Sequence, residues 1–267
     1  GGPAVLGGGT LRLGQRFSTA DKGRFPDKIG ASPGSSRRDS PVSLSALKPG
    51  FALYIHVPFC RVRCGYCDFN TYVNDFGSGA NRESYHQSAL KELRLAASFF
   101  LQRNLTIPPL SSVYFGGGTP TLLPSKALRT IVEEVRSAWG IASGAEVSSE
   151  ANPDTITGQV AQALAASGFT RVSLGMQSAV PKVLATFDRT HSPKNLPNSV
   201  AALRREGLAV SLALIYGTPG ESLAAWETSF HEDLRLEADH LSASSLVIAT
   251  GTKMHALGKR GKLPHIT

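Results

Sequence analysis

From Phe51 onward, short apolar runs alternate with longer amphipathic stretches. The runs are ALYIHV (52–57), SVYFG (112–116), AEVSSEA (145–151), RVSLGM (171–176), AVSLALI (209–215) and HLSASSLV (240–247), each of strand length. Between them, helical spacing appears near residues 82–102, 125–138, 155–167, 193–206 and 222–235. In the first of these stretches Tyr85, Leu90, Leu93, Ala97 and Phe100 fall on roughly one face. Strand–helix alternation predicts parallel strands joined by right-handed crossovers. Six such units make an α/β fold, either an incomplete (β/α)6 TIM-like barrel or an open doubly wound sheet. Both gather ligands in the loops that follow the carboxyl ends of the strands.

Residues 1–50 have a different texture, rich in Gly, Ser, Pro and Arg, and read as a disordered or non-native tail. They hold eight Lys and Arg against three Asp, so +5 of the formal net charge of +8 sits there. The remainder is nearly balanced, which argues against a nucleic-acid partner. An Arg- and Ser-bearing start is also similar to an organellar transit peptide, but Asp21, Asp27 and Asp39 run against that. A cytoplasmic protein is therefore expected, with an organellar matrix as the alternative. No apolar run approaches the roughly eighteen residues of a transmembrane segment. Residues 51–250 are the expected core domain, and residues 251–267 the start of a further region.

The chemistry begins right after the first run. Cys60, Cys64 and Cys67 are all the cysteines in 267 residues, which is not the pattern of a secreted disulfide framework. Zinc normally closes its site with four ligands, so three thiols need a fourth from elsewhere. His56 is near, but a histidine inside a strand is more often a core residue. A cubane iron–sulfur cluster can use three thiolates and leave one iron open, so spacing alone favours it while leaving a zinc-binding module as an alternative. The later strand ends carry their own polar punctuation. YFGGGTPT (114–121) offers glycines that let backbone groups approach a ligand. SEANPD (149–154) brings Glu150, SLGMQS (173–178) brings Gln177, FDRTH brings Arg189, and LIYGTPGES (214–222) ends the fifth run.

Together with LYIHVPFC, these segments resemble the radical S-adenosylmethionine (SAM) superfamily over about residues 52–255. Within it the chain is similar to the oxygen-independent coproporphyrinogen III oxidase-like branch, and there to the HemW-type heme chaperones. The resemblance implies a [4Fe–4S] cluster held by Cys60, Cys64 and Cys67, with SAM chelating the open iron and being cleaved to a 5′-deoxyadenosyl radical when the cluster is reduced. It places Tyr54 and Tyr66 beside SAM, Gly117, Gly118 and Thr119 at the methionine amino end, and Glu150, Gln177 and Arg189 on the ribose and carboxylate. It also implies heme as cargo, heme-accepting proteins as partners, and a low-potential flavodoxin- or ferredoxin-like electron donor. The oxidases of this branch, which are enzymes, carry a further cysteine where this chain has Phe69. A coproporphyrinogen III oxidase or dehydrogenase, or another radical SAM enzyme, is thus the alternative function.

Three positions depart from the family. Ala213 replaces an aspartate that contacts the SAM ribose, and the strand around Ser244 and Ala249 lacks the usual Tyr and Glu. None of the seven histidines is followed by Asn, so the family's His-Asn-x-x-Tyr-Trp heme motif is missing, and a fragment without that C-terminal domain is expected.

Overall fold

The computed structural model describes residues 50–73, 81–189 and 191–264; the expected tail lies outside them except for Gly50. Six strands, β1 (Ala52–Val57), β2 (Leu110–Gly117), β3 (Ile141–Ala151), β4 (Arg171–Gln177), β5 (Ala209–Tyr216) and β6 (His240–Ser245), form one sheet. They pair in chain order and every pair is parallel. Among the described residues β1 and β6 are the two edges, so the sheet stays open, as the incomplete barrel reading requires. The helices are α1 (Tyr85–Gln102), α2 (Ser125–Ala138), α3 (Gly158–Ala166), α4 (Pro181–Thr186), α5 (Leu196–Arg205), α6 (Leu223–Leu236) and α7 (Lys253–Lys259).

Strand alternation gives the sheet two unlike faces. Ile55, Val57, Val113, Phe115, Val147, Ala151, Val172, Leu174, Val210 and Leu212 are buried in one hydrophobic core. Helices cover this face with buried Leu93 and Ala97 from α1, Leu128, Ile131 and Val135 from α2, and Leu203 from α5. The intervening positions are polar or small, and their register aligns them across the sheet. Tyr54 lies beside Tyr114, Tyr114 beside Ser148, Glu150 beside Ser173, and Ala213 beside Ser242. A parallel sheet packed on both faces would be apolar at both sets of positions, so the polar set marks a face kept for something other than packing.

The elements depart from the sequence pattern in a few places. β3 starts at Ile141, ahead of the expected 145, because Ile141 pairs with Leu110 before an irregularity in register. Two expected helices, 155–167 and 193–206, start later than the sequence pattern suggests, each after a proline-led turn. Pro153–Thr155 and Pro193–Asn195 are single 3-10 turns, and regular helix begins only at Gly158 and Leu196. The short helices α4 and α7 were not legible at all. On α1, Tyr85, Ala89 and Phe100 pack against the core, with Ala89 in place of the expected Leu90. Among the described residues no helix is long and apolar enough to cross a membrane.

Candidate functional site

The cysteine loop leaves β1 at Pro58 and is closed at its neck by backbone pairing. Tyr72 N–H donates to Pro58 O at 2.7 Å, and Cys60 N–H donates to Tyr72 O at 2.9 Å. Phe59 at the neck is 1% exposed and anchors the loop in the core. The tip is held from two further directions, since Gly65 N–H donates to Phe187 O at 3.0 Å and Met254 N–H donates to Gly65 O at 2.9 Å. α7 therefore packs on the loop through Met254, and Lys253 pairs with Asp188 at 2.7 Å. Gly65 has no room for a side chain, because a Cβ there would stand 2.7 Å from the Asp188 carboxylate. Tyr66 sits edge-on to Phe187, with ring centres 4.9 Å apart.

The glycine turn after β2 is joined to the same neck. Gly118 N–H donates to Val57 O at 2.8 Å and Thr119 N–H donates to Phe59 O at 2.7 Å. Gly117 adopts φ +108°, a conformation open to glycine, and a Cβ on it would collide with the His56 ring. His56 itself has both ring nitrogens engaged, by the Tyr54 hydroxyl at 3.0 Å and by Asn70 O at 2.9 Å. Its position is that of a brace behind the glycines.

From the other strands, Glu150 accepts from Tyr114 Oη at 2.7 Å and from Gly117 N–H at 3.0 Å. Arg189 reaches across the strand ends. Its Nη2 donates to Gly175 O at 2.7 Å and to Asn152 Oδ1 at 2.9 Å, and its Nη1 to Cys64 Sγ at 3.4 Å. Gln177 closes β4 at φ +62°, where the register with β5 shifts.

These residues enclose a cavity of about 320 Å³. It is lined by Cys60, Cys64, Tyr66, Cys67, Gly117, Gly118, Thr119, Glu150, Gln177 and Arg189, with Phe69, Asn152, Ala213 and Ser244. Every site residue expected from sequence is thus brought together except Tyr54. That side chain is half exposed outside the cavity and stacks on Tyr114 with ring centres 6.0 Å apart. Asn152, Tyr114 and Gly175 were missed by sequence reasoning. Their signal was position alone, at or next to the ligand-bearing end of a strand.

Burial pushes the Cys60 and Cys67 thiols up from their ordinary value, and likewise the Tyr66 hydroxyl. Burial also works against the Arg189 charge, but the Cys64 sulfur and Tyr66 more than offset it and hold its pKa above the usual range.

The residues fit a cluster with SAM on three counts. Three thiols form the donor set, and the buried Cys60 and Cys67 thiols deprotonate readily only with a cation to compensate them. Two buried polar atoms of cavity-lining residues, Gln177 Oε1 and Arg189 Nε, have no hydrogen-bond partner among the described residues. The glycine turn leaves a cradle of bare backbone. Among the described residues no group of three or more His, Cys, Asp or Glu already forms a metal-binding cluster, so ligation asks the cysteine side chains to turn toward a common centre.

The sequence pattern of the Radical SAM superfamily matches residues 54–232. The chain belongs to the radical SAM superfamily. Radical SAM proteins use SAM and a [4Fe–4S] cluster, which is the pair the cavity fits. Among its relatives, the heme chaperone HemW of Mycobacterium tuberculosis is 43% identical over 231 residues, covering 85% of this chain and 58% of that protein. The mitochondrial radical S-adenosyl methionine domain-containing protein 1 of Bos taurus is 32% identical over 214 residues, covering 80% of this chain and 47% of that protein. This chain therefore spans about half the length of the curated relatives it matches. Among solved structures it is similar to the radical SAM enzyme coproporphyrinogen III oxidase (HemN) of Escherichia coli, with a TM-score of 0.69 and 25% identity over 80% of this chain and 49% of that one.

Proposed function

We propose that this chain is the SAM- and cluster-binding core of a HemW-type heme chaperone, with Cys60, Cys64 and Cys67 as the cluster ligands. The observation that carries the reading is the cavity, which Cys60, Cys64 and Cys67 line together with Gln177 and Arg189, each of which has a buried polar atom without a partner among the described residues. When bound, a cluster with one open iron supplies an electron to SAM. This chain's own residues do the rest. Gly117, Gly118 and Thr119 offer backbone to the amino end, Arg189 offers its guanidinium to the carboxylate, and Glu150 and Gln177 take the ribose. Tyr66 closes the side next to the loop, and Tyr54, outside the cavity, stacks on Tyr114.

Phe69 favours the chaperone over the oxidase. It lines the cavity two residues after Cys67 and is 56% exposed, so no thiol is offered there. Heme is accordingly the proposed cargo, with heme-accepting proteins and a low-potential flavodoxin- or ferredoxin-like donor as partners. The proposed place is the cytoplasm, or an organellar matrix as for the mitochondrial relative.

Anaerobic reconstitution followed by iron and sulfide analysis tests the core of this reading. About four of each per chain are expected, and Cys60→Ala, Cys64→Ala and Cys67→Ala should each abolish uptake. Stoichiometric zinc without a brown chromophore would overturn it. Heme titration at the Soret band, set against a coproporphyrinogen decarboxylation assay, separates chaperone from enzyme.

A further inference from the structure

Asn152 has no role in the chemistry above, yet its side chain joins three parts of the site. Its Nδ2 donates to Thr119 Oγ1 at 3.3 Å, on the glycine turn. Its Oδ1 accepts from Arg189 Nη2 at 2.9 Å, and the other end of that guanidinium donates to Cys64 Sγ at 3.4 Å. Gly175 completes the hold. Its carbonyl accepts from Nη2 at 2.7 Å, and a Cβ on it would stand 2.7 Å from Nη2 and 3.0 Å from Gln177 Nε2. The guanidinium is pinned at Nη2 by two neutral oxygens, and among the described residues none of its hydrogen bonds goes to a carboxylate.

We infer that Asn152 is a positioning residue, whose amide fixes Arg189 so that one guanidinium both donates to the Cys64 sulfur and faces the SAM carboxylate. The inference rests on the reading that Cys64 is a cluster ligand whose sulfur keeps its Arg189 contact as the side chain turns toward the cluster. Hydrogen bonds to cluster sulfurs stabilise the reduced, more negative state and raise the reduction potential. Asn152 thereby sets the potential and SAM affinity through one side chain that it touches and they share. Were it a merely structural residue, its loss would change the stability of the fold and leave these two quantities alone.

The experiment is a double-mutant cycle on the reconstituted full chain, with Asn152→Ala and Asn152→Ser each made in the unsubstituted and Arg189→Lys backgrounds. Iron and sulfide content, the thermal midpoint of the apo chain, the cluster midpoint potential without SAM, and the SAM dissociation constant are measured for each. In the unsubstituted background both Asn152 variants should take up iron normally, shift the potential to more negative values and weaken SAM about tenfold, the size of one lost hydrogen bond to a charged group. In the Arg189→Lys background the same substitutions should change neither quantity. Iron-loaded variants with unchanged potential and affinity, or with equal effects in both backgrounds, would overturn the positioning role. Failure of the unsubstituted chain to take up iron would overturn the cluster reading as well.

Discussion

The Tyr114 hydroxyl holds the Glu150 carboxylate at 2.7 Å across adjacent strands, 36 residues apart in the chain. Burial first, and then the carboxylate, pushes the Tyr114 hydroxyl up from its ordinary value, so it stays a donor throughout the physiological range. With Gly117 N–H on its other oxygen, Glu150 has one arrangement fixed before any ligand arrives.

Tyr114→Phe removes one of these two donors and leaves the ring that stacks on Tyr54. It should lower the unfolding free energy by about 1.5 kcal/mol, the value of a hydrogen bond to a charged acceptor. Urea denaturation measures this, and SAM titration of the reconstituted variant should show weaker binding. Unchanged affinity would mean that Glu150 does not need its preset position.

Much of this arrangement was written in the strands. Glu150 and Ala213 stand at the polar or small positions of strands whose alternate residues, such as Val147 and Leu212, are buried. Alternation on a parallel sheet therefore marked the ligand face as well as the strands. Arg189 stood out in the sequence as a candidate in the connection after β4, but its partners were not legible, because they come from the residue after β3, from β4 and from the cysteine loop. α4 escaped notice because six residues are too few to show a period. α7 escaped because its packing depends on Met254 meeting Gly65 in a distant loop. Tyr54 has the right parity for the polar face but sits on the edge strand, half exposed and stacked on Tyr114 outside the cavity.

Two glycines should respond oppositely to alanine. A Cβ at Gly118 would lie 2.5 Å from Phe59 O and 2.8 Å from Val57 O, both backbone atoms with nowhere to move. Gly118→Ala should cost about 1–3 kcal/mol as overpacking does, and it should reduce iron uptake by parting the turn from the cysteine loop. At Gly158, in the first turn of α3, a Cβ meets nothing within 4 Å. Gly158→Ala should stabilise by about 0.4–1 kcal/mol through the unfolded chain, with iron uptake unchanged. Chemical denaturation of the two variants side by side checks the opposite signs.

His191 should give the fold an acid-sensitive component. It is 7% exposed, with Nε2 on Met176 O at 3.1 Å. Burial first, and the nearby Arg189 charge second, push its pKa down to about 4, while the Met176 carbonyl and Asp154 act in the opposite sense. Above pH about 6.5 the ring is neutral in both folded and unfolded chains and costs nothing. As pH falls toward 4 the unfolded chain binds the proton and the folded one does not, so stability drops by on the order of 3 kcal/mol and then levels off. His191→Gln should flatten that part of the profile. Unfolding free energies of the two proteins at several pH values between 4 and 7.5 should converge as pH falls, and a constant difference would show that His191 does not titrate in this way.

Ala213, like Ser244, is a cavity-lining position at which the sequence departs from the family it resembles. It lies on the polar face of β5, paired with Ser242 and among the cavity-lining residues, where the resembling proteins place an aspartate on the SAM ribose. Glu150, Gln177 and Arg189 remain, so SAM binding should persist in weakened form. Ala213→Asp puts an acceptor on the cavity lining at the position where the resemblance places the SAM ribose. Calorimetry of the reconstituted pair should find SAM bound about tenfold more tightly, which is about 1.4 kcal/mol for one recovered hydrogen bond. The same substitution should leave iron uptake unchanged, because Ala213 belongs to β5 and has no part in the cysteine loop. Equal or weaker binding by Ala213→Asp would place the ribose elsewhere in the cavity.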